Sequence, residues 1–318
     1  ATNSGTAGLV TCGAGNYVAP WSPVGPFPAS ISTSSMIVFA GHPSQPIIQL
    51  DGAISLCFRD LAMYGPAGSL STTPFLLGAP AAGILLRVED PGRGTDHILI
   101  ENASIGMCGT GLMMDNQPVE AGTSEVVCHK VNFDNCVNFA MRDLSQQGVD
   151  HQWRSVSVNC PVPGPSGTGI TNPNFVAVQL DAGGCFRWEG GDVVSVATLL
   201  RINNQGLGPG NANVTLSDLR LEQNNNMQRV IVDTYINPTQ PTVHGLEQNS
   251  TIVVENVTEL GEPPPVGNVL PLFYLGPNTN VTVRSCSLNR VPLAILSSTG
   301  IYPPVGANDT TLLLDAIT

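Results

Sequence analysis

One bend, repeated at a single phase, constrains this chain more than any other feature. Eight apolar or aromatic anchors carry it: Phe58, Ile100, Cys128, Trp153, Trp188, Leu216, Val254 and Val283, spaced 25 to 42 residues apart. Two places before them stand Leu56, Ile98, Val126, His151, Phe186, Val214, Ile252 and Val281, apolar in every unit but that of His151. Apolar side chains return three and five places after the anchor, as in Leu61 and Met63, Val131 and Phe133, or Leu219 and Leu221. A straight strand keeps period two, so this pattern breaks phase once per unit. The chain must therefore bend at positions +1 and +2, between two short strands that share an inward face. Position +2 holds Asp60, Asn102, Lys130, Ser155, Gly190, Asp218, Asn256 and Ser285. Lys130 apart, these residues tolerate left-handed backbone angles or hydrogen-bond locally in a turn.

A third apolar run follows most bends, among them Leu112 to Met114, Val137 to Met141, Phe175 to Leu180 and Leu199 to Ile202. Each unit is thus a bent strand pair, a turn, a third strand and a variable loop. One such unit cannot bury its apolar face alone, whereas stacked units bury a continuous core and pair each strand with its copy above and below. The expected architecture is all-β, a parallel β-helix solenoid of about eight rungs. It spans residues 36–296, with an extended, irregular N-terminal arm over 1–35 and a C-terminal tail or cap over 297–318. The arm is rich in Gly, Pro and Ser, as in Trp21-Ser22-Pro23-Val24-Gly25-Pro26-Phe27-Pro28, and reads as a segment that packs on a partner. The opening Ala1-Thr2-Asn3-Ser4 reads as the product of removing an initiator Met or a leader.

The order strand, Asn/Asp-type bend, strand, turn, strand resembles that of pectin-lyase-like proteins. The bend column with Asn102 and Asn256 is similar to that family's asparagine ladder. The resemblance covers residues 50–296 and implies a single-stranded, right-handed parallel β-helix without specifying an activity. The family's enzyme patterns are missing: the chain has no Arg-x-Lys and no Asp-Pro-His-Asp. Gly-x-Ser-x-Gly, a P-loop and His-Glu-x-x-His are absent as well.

Composition narrows the partners. Charged residues make up 11% of the chain, against roughly 25% in an average domain. The net charge is −12 and Lys130 is the only lysine, which argues against nucleic acid or an anionic membrane as partner. No run of 18 apolar residues occurs, so no membrane-spanning helix is expected. The eight cysteines form no Cys-x-x-Cys pair and read as small buried hydrophobes. Trp153 and Trp188 occupy inward anchors and read as core. Six Asn-x-Ser/Thr sequons are not far above what this composition yields by chance.

Two columns carry candidate chemistry. Position +1 holds Arg59, Glu101, His129, Arg154, Glu189, Ser217, Glu255 and Arg284, which a stacked fold would set about 4.8 Å apart on one outer edge. Such a ladder of opposite charges keeps the bend soluble. Glu101, His129, Arg154 and Glu189 are also candidates for binding a glycan or a neighbouring subunit, with Tyr235 as a sugar platform. The second column follows the third strands and includes Asp90, Asp115, Asp143, Asp181, Asn203 and Asp233. Glycoside hydrolysis needs two carboxyl groups roughly 5–10 Å apart, so Asp115, Asp143 and Asp181 are the candidate catalytic acids, pointing into the large loops. Asp is equally the natural first residue of a turn. This column has oxygens that calcium would need, but no metal ligand set or cofactor is predicted.

Low charge, one lysine and a rigid solenoid are together similar to phage tailspikes, fibres and capsid-decoration proteins. The expected function is a virion-associated structural protein, homotrimeric, binding a receptor or glycan and located on a virion or outside cells. Other virion or surface proteins would be met through residues 1–35. A secreted polysaccharide hydrolase or lyase and a cell-surface adhesin are the alternatives.

Overall fold

Inward and outward side chains alternate, with one break of phase per unit, and the result is strands alone: no helix occurs among the described residues. The computed structural model describes residues 35–38, 45–65, 81–87, 94–115, 123–145, 150–159, 175–181, 184–202, 212–222, 230–234, 250–260, 272–276, 278–288, 294–296 and 310–317. Ser35 excepted, the expected arm lies outside them, as do Asp90, Asn203 and Tyr235.

Two sheets form, and every pairing in them is parallel. The first has thirteen strands: β1 (Ser35–Val38), β3 (Ile54–Arg59), β4 (Leu61–Tyr64), β6 (Asp96–Gly106), β8 (Ser124–Asp134), β10 (His151–Arg154), β11 (Ser157–Asn159), β13 (Gly184–Val194), β15 (Ala212–Glu222), β17 (Ser250–Glu255), β18 (Thr258–Leu260), β20 (Thr279–Arg284) and β22 (Thr311–Asp315). The second has nine: β2 (Ile48–Asp51), β5 (Ala82–Arg87), β7 (Thr110–Asp115), β9 (Phe139–Asp143), β12 (Val176–Leu180), β14 (Thr198–Ile202), β16 (Val230–Asp233), β19 (Phe273–Leu275) and β21 (Ala294–Leu296). The chain visits the sheets in alternation. It runs through β6, crosses to β7, and returns as β8 beside β6. Neighbours in each sheet are thus successive passages of the chain.

The register places like over like. Phe58 pairs with Ile100, Ile100 with Cys128, Cys128 with Trp153 and Trp153 with Trp188. Trp188 then pairs with Leu216, Leu216 with Val254 and Val254 with Val283. All eight anchors stack in chain order. Val283 pairs in turn with Leu314, so β22 adds a ninth row from within the segment expected to be a tail. The eight residues at +2 all take left-handed angles, with φ between 49° and 71°, and Ala316 repeats this at 50° in the ninth row. Two further left-handed columns mix turn-formers with residues of other types. Ser55, His97, Glu125 and Asp150 stand three places before the anchors, and Met107, Asn135 and Ser195 seven places after.

The core between the sheets is a continuous apolar cluster. Trp153 is its broadest side chain, stacked on Phe133 with centroids 5.0 Å apart and edge-on to Trp188 at 4.9 Å. Both tryptophans are buried as their anchor positions require. Each fully buried Leu, Ile or Val contributes about 1.5–3 kcal/mol, repeated in every row. Cys108, Cys128, Cys136 and Cys286 are buried thiols within this core, while Cys57 is exposed and Cys185 half-buried. Burial raises the Cys128 thiol far above its ordinary pKa, which leaves it inert at neutral pH.

Gly191 breaks the apolar rule at +3 for a steric reason. Its φ is +131°, and a Cβ there would stand 1.9 Å from the Val156 carbonyl oxygen. The Trp188 indole N–H donates to that same oxygen at 3.2 Å. Gly191→Ala is therefore expected to lower the denaturation midpoint, losing about 2 kcal/mol or more through backbone strain and displacement of Val156. Equilibrium unfolding in urea measures this, and an unchanged midpoint would refute the close approach.

Candidate functional site

The outer edge at +1 is a charge ladder in its upper turns. Arg59 Nε donates to Glu101 Oε2 at 2.6 Å, and Glu101 Oε1 lies 3.1 Å from His129 Nδ1. The hydrogen bond from His129, reinforced by Arg59, holds the Glu101 carboxyl below its ordinary pKa. Lower down, Arg284 pairs with Glu255. Between these segments the candidates separate. The Arg154 guanidinium turns back to Gln152 Oε1 at 2.8 Å, and Glu189 stands exposed in the next row. The backbone thus sets all four candidates on one edge, in register, but only Glu101 and His129 are joined by a hydrogen bond among them. Tyr235 lies outside the described residues. Beside this edge the bend column binds itself laterally: Asn102 Nδ2 donates to Asp60 Oδ1, and Asn256 Nδ2 to Asp218 Oδ1 at 3.2 Å.

The carboxylates behave otherwise than expected. Asp143 pairs with Met114 on one side and Leu180 on the other, so it stands in an inward column among apolar residues. Asp115 and Asp181 each follow that column by one residue, and a one-residue offset turns a side chain to the opposite face. The three therefore do not form one row pointing into loops. Asp143 is buried, accepts the Ser145 amide at 2.7 Å and meets His151 Nε2 at 3.2 Å. Asp181 is fully buried, held by Arg142 Nε at 2.6 Å and Gln179 Nε2 at 2.7 Å. Asp115 is half-buried, with Arg87 Nε at 3.8 Å. Two of the three candidate acids are thus closed off from solvent and already engaged by basic or amide groups. Among the described residues no three His, Cys, Asp or Glu side chains converge as a metal ligand set.

The Asp143–His151 pair was not foreseen as a unit, although its signal was present. His151 is the one polar residue in the −2 column, and Asp143 lies eight residues before it, where the chain returns from the second sheet to the first. Burying one such partner without the other leaves an uncompensated charge. Asp143→Ala should cost about 3 kcal/mol or more, whereas Asp143→Leu combined with His151→Leu should recover most of that loss. A double-mutant cycle of unfolding free energies checks it, and additive effects would refute the coupling.

A second buried polar group flanks the turn after the bent strands. Asp134 ends β8, 8% exposed, with Asn135 Nδ2 donating to its Oδ1 at 3.0 Å. Burial pushes its carboxyl up to about 6. Nearby, the Tyr64 hydroxyl is within 2.6 Å of Ser104 Oγ, and burial raises it to about 12. Because the folded-state pKa of Asp134 is raised, its protonated form stabilises the fold below about pH 4, and this is lost as pH rises through about 6. Asp134→Asn should therefore flatten the pH dependence of stability across this window and gain on the order of 2 kcal/mol at neutral pH. Denaturation midpoints measured between acid and neutral pH test this, and parallel profiles for the two chains would contradict it.

Compared with models of known protein families, the sequence matches none, and no curated protein matches it. No helix among the described residues is long and apolar enough to cross a membrane.

Proposed function

We propose that the two sheets are the walls of one single-stranded, right-handed parallel β-helix serving as a rigid structural element of a virion, of the spike, fibre or capsid-decoration type. The observation that carries this is the unbroken anchor column from Phe58 to Leu314, in register through every turn. A shaft needs that regularity, and a reactive cleft does not. Right-handedness follows the rule that parallel strands of one sheet are joined by right-handed crossovers in about 98% of cases. The location is the virion or the extracellular space. The working state is a homotrimer, with residues 1–35 reaching other virion or surface proteins.

The edge with Glu101, His129, Arg154 and Glu189 is the surface offered to a receptor or glycan. Exposed Arg154 and Glu189 supply hydrogen-bonding groups that the internal Glu101–His129 bond leaves over. Burial of Asp143 and Asp181 weighs against a polysaccharide hydrolase or lyase, since neither carboxyl meets solvent. A cell-surface adhesin would use the same edge.

Electrophoresis of the unheated chain in SDS is expected to show a resistant trimer, and incubation with a polysaccharide panel is expected to release no reducing ends. Turnover that disappears in Asp115→Asn, Asp143→Asn or Asp181→Asn would overturn the structural role in favour of catalysis.

A further inference from the structure

Among the described residues both ends of the core leave a strand edge uncovered, and the two ends match. Among the described residues four large apolar side chains are exposed, and three of them lie on end strands: Ile54 at 60% on β3, Leu313 at 60% and Leu314 at 42% on β22. The half-buried apolar residues that pack on the core also come from the two end turns, such as Leu50, Leu56 and Phe58 at one end and Leu288, Leu312 and Ile317 at the other. Among the described residues β3 pairs only with β6, and β22 only with β20, so each offers a free backbone edge. Natural sheets seldom leave such edges uncovered.

We propose that these ends dock on each other, β22 of one copy pairing in parallel with β3 of the next, so that the chain assembles end to end along its own axis. The second copy fits because the columns continue across the junction. Leu312 meets Leu56, Leu314 meets Phe58, and Ala316, left-handed at +2, stands over left-handed Asp60. The edge charges alternate through the join: Glu255, Arg284 and Asp315 in one copy, then Arg59 and Glu101 in the next. Asp315 thereby faces the outer side of Arg59, which is 60% exposed.

The path is also in phase. The last described turn stops just past the bend, at Ile317, and β1 occupies the half of the first sheet that follows the bend, beside β4. Among the described residues the two segments claim one common column, Ile317 and Ser35, and one of these two must swing aside for the ends to meet. β2 then falls under β21, and β3 under β22. The contact is heterologous and does not close on itself, so growth is open-ended. It goes beyond the lateral homotrimer proposed above and does not depend on it.

The register supplies the test. Cys57 is exposed on β3, directly opposite Leu313 in the proposed pairing. The Leu313→Cys chain, exposed to oxidised glutathione, should form disulfides to Cys57 of the next copy, passing two electrons and two protons to the glutathione. Expected is a ladder of dimers, trimers and longer species on a non-reducing gel, abolished by adding Cys57→Ser. Sedimentation of the unmodified chain should show mass that keeps rising with concentration. Far-UV circular dichroism checks that the variants remain folded. A ladder that survives Cys57→Ser, cross-linking that stops at a closed dimer, or a fixed mass at every concentration would each overturn the axial contact. A fixed trimer would do so while leaving the lateral assembly intact.

Discussion

Everything in this molecule depends on the chain turning the same corner at the same phase in every passage. The corner is a single left-handed residue between two strands, at Asp60, Asn102, Lys130 and their counterparts down to Ala316. It lets two apolar positions on either side of it face one interior. Because the corner recurs in register, the backbone groups of each turn pair with those of its neighbours, and the core becomes a stack of equivalent layers. The energetic cost of a left-handed backbone at a non-glycine residue, roughly 1 kcal/mol, is offset in each layer by the burial of an anchor such as Cys128, Trp153 or Val254.

Two carboxylates are admitted to this interior together with partners. Asp143 occupies a position where adjacent turns carry Met114 and Leu180, and it brings His151 and the Ser145 amide with it. Asp181 is held by Arg142 and Gln179. These clusters sit where the second sheet hands the chain back toward the first. Their arrangement is that of register-setting contacts, which punish a slipped turn by stranding a charge. The solvent side of the molecule is by contrast simple. Part of its ordered chemistry lies on the +1 edge, where Glu101 is held between Arg59 in one adjacent row and His129 in the other.

The corner and the stacked anchors were legible in the sequence because they leave a mark that survives variable loop lengths: apolar residues at −2, 0, +3 and +5 around a turn-former. That pattern predicted the pairing of residues as far apart as Phe58 and Ile100. Leu314 escaped because Leu312, Leu313 and Leu314 are consecutive, which conceals the alternation. The second sheet was less legible, since its short strands alternate weakly, as Val176 to Leu180 show by being buried throughout, the polar Gln179 included. Without alternation the phase is undetermined, and aligning the aspartates by the ends of their runs mistook Asp143 for an outward residue. The left-handed His97, Glu125 and Met107 left no trace either, because their conformation is imposed by stacking on neighbouring turns and not by their own side chains.

Lys130 is the exception among the bend residues. It is the chain's sole lysine, it is exposed, and its backbone is held at φ 53° next to His129. Amine-directed coupling to side chains therefore has one address on this surface. A dye, a bead or a sensor chip attached there would hold every molecule by the same corner of the same strand pair.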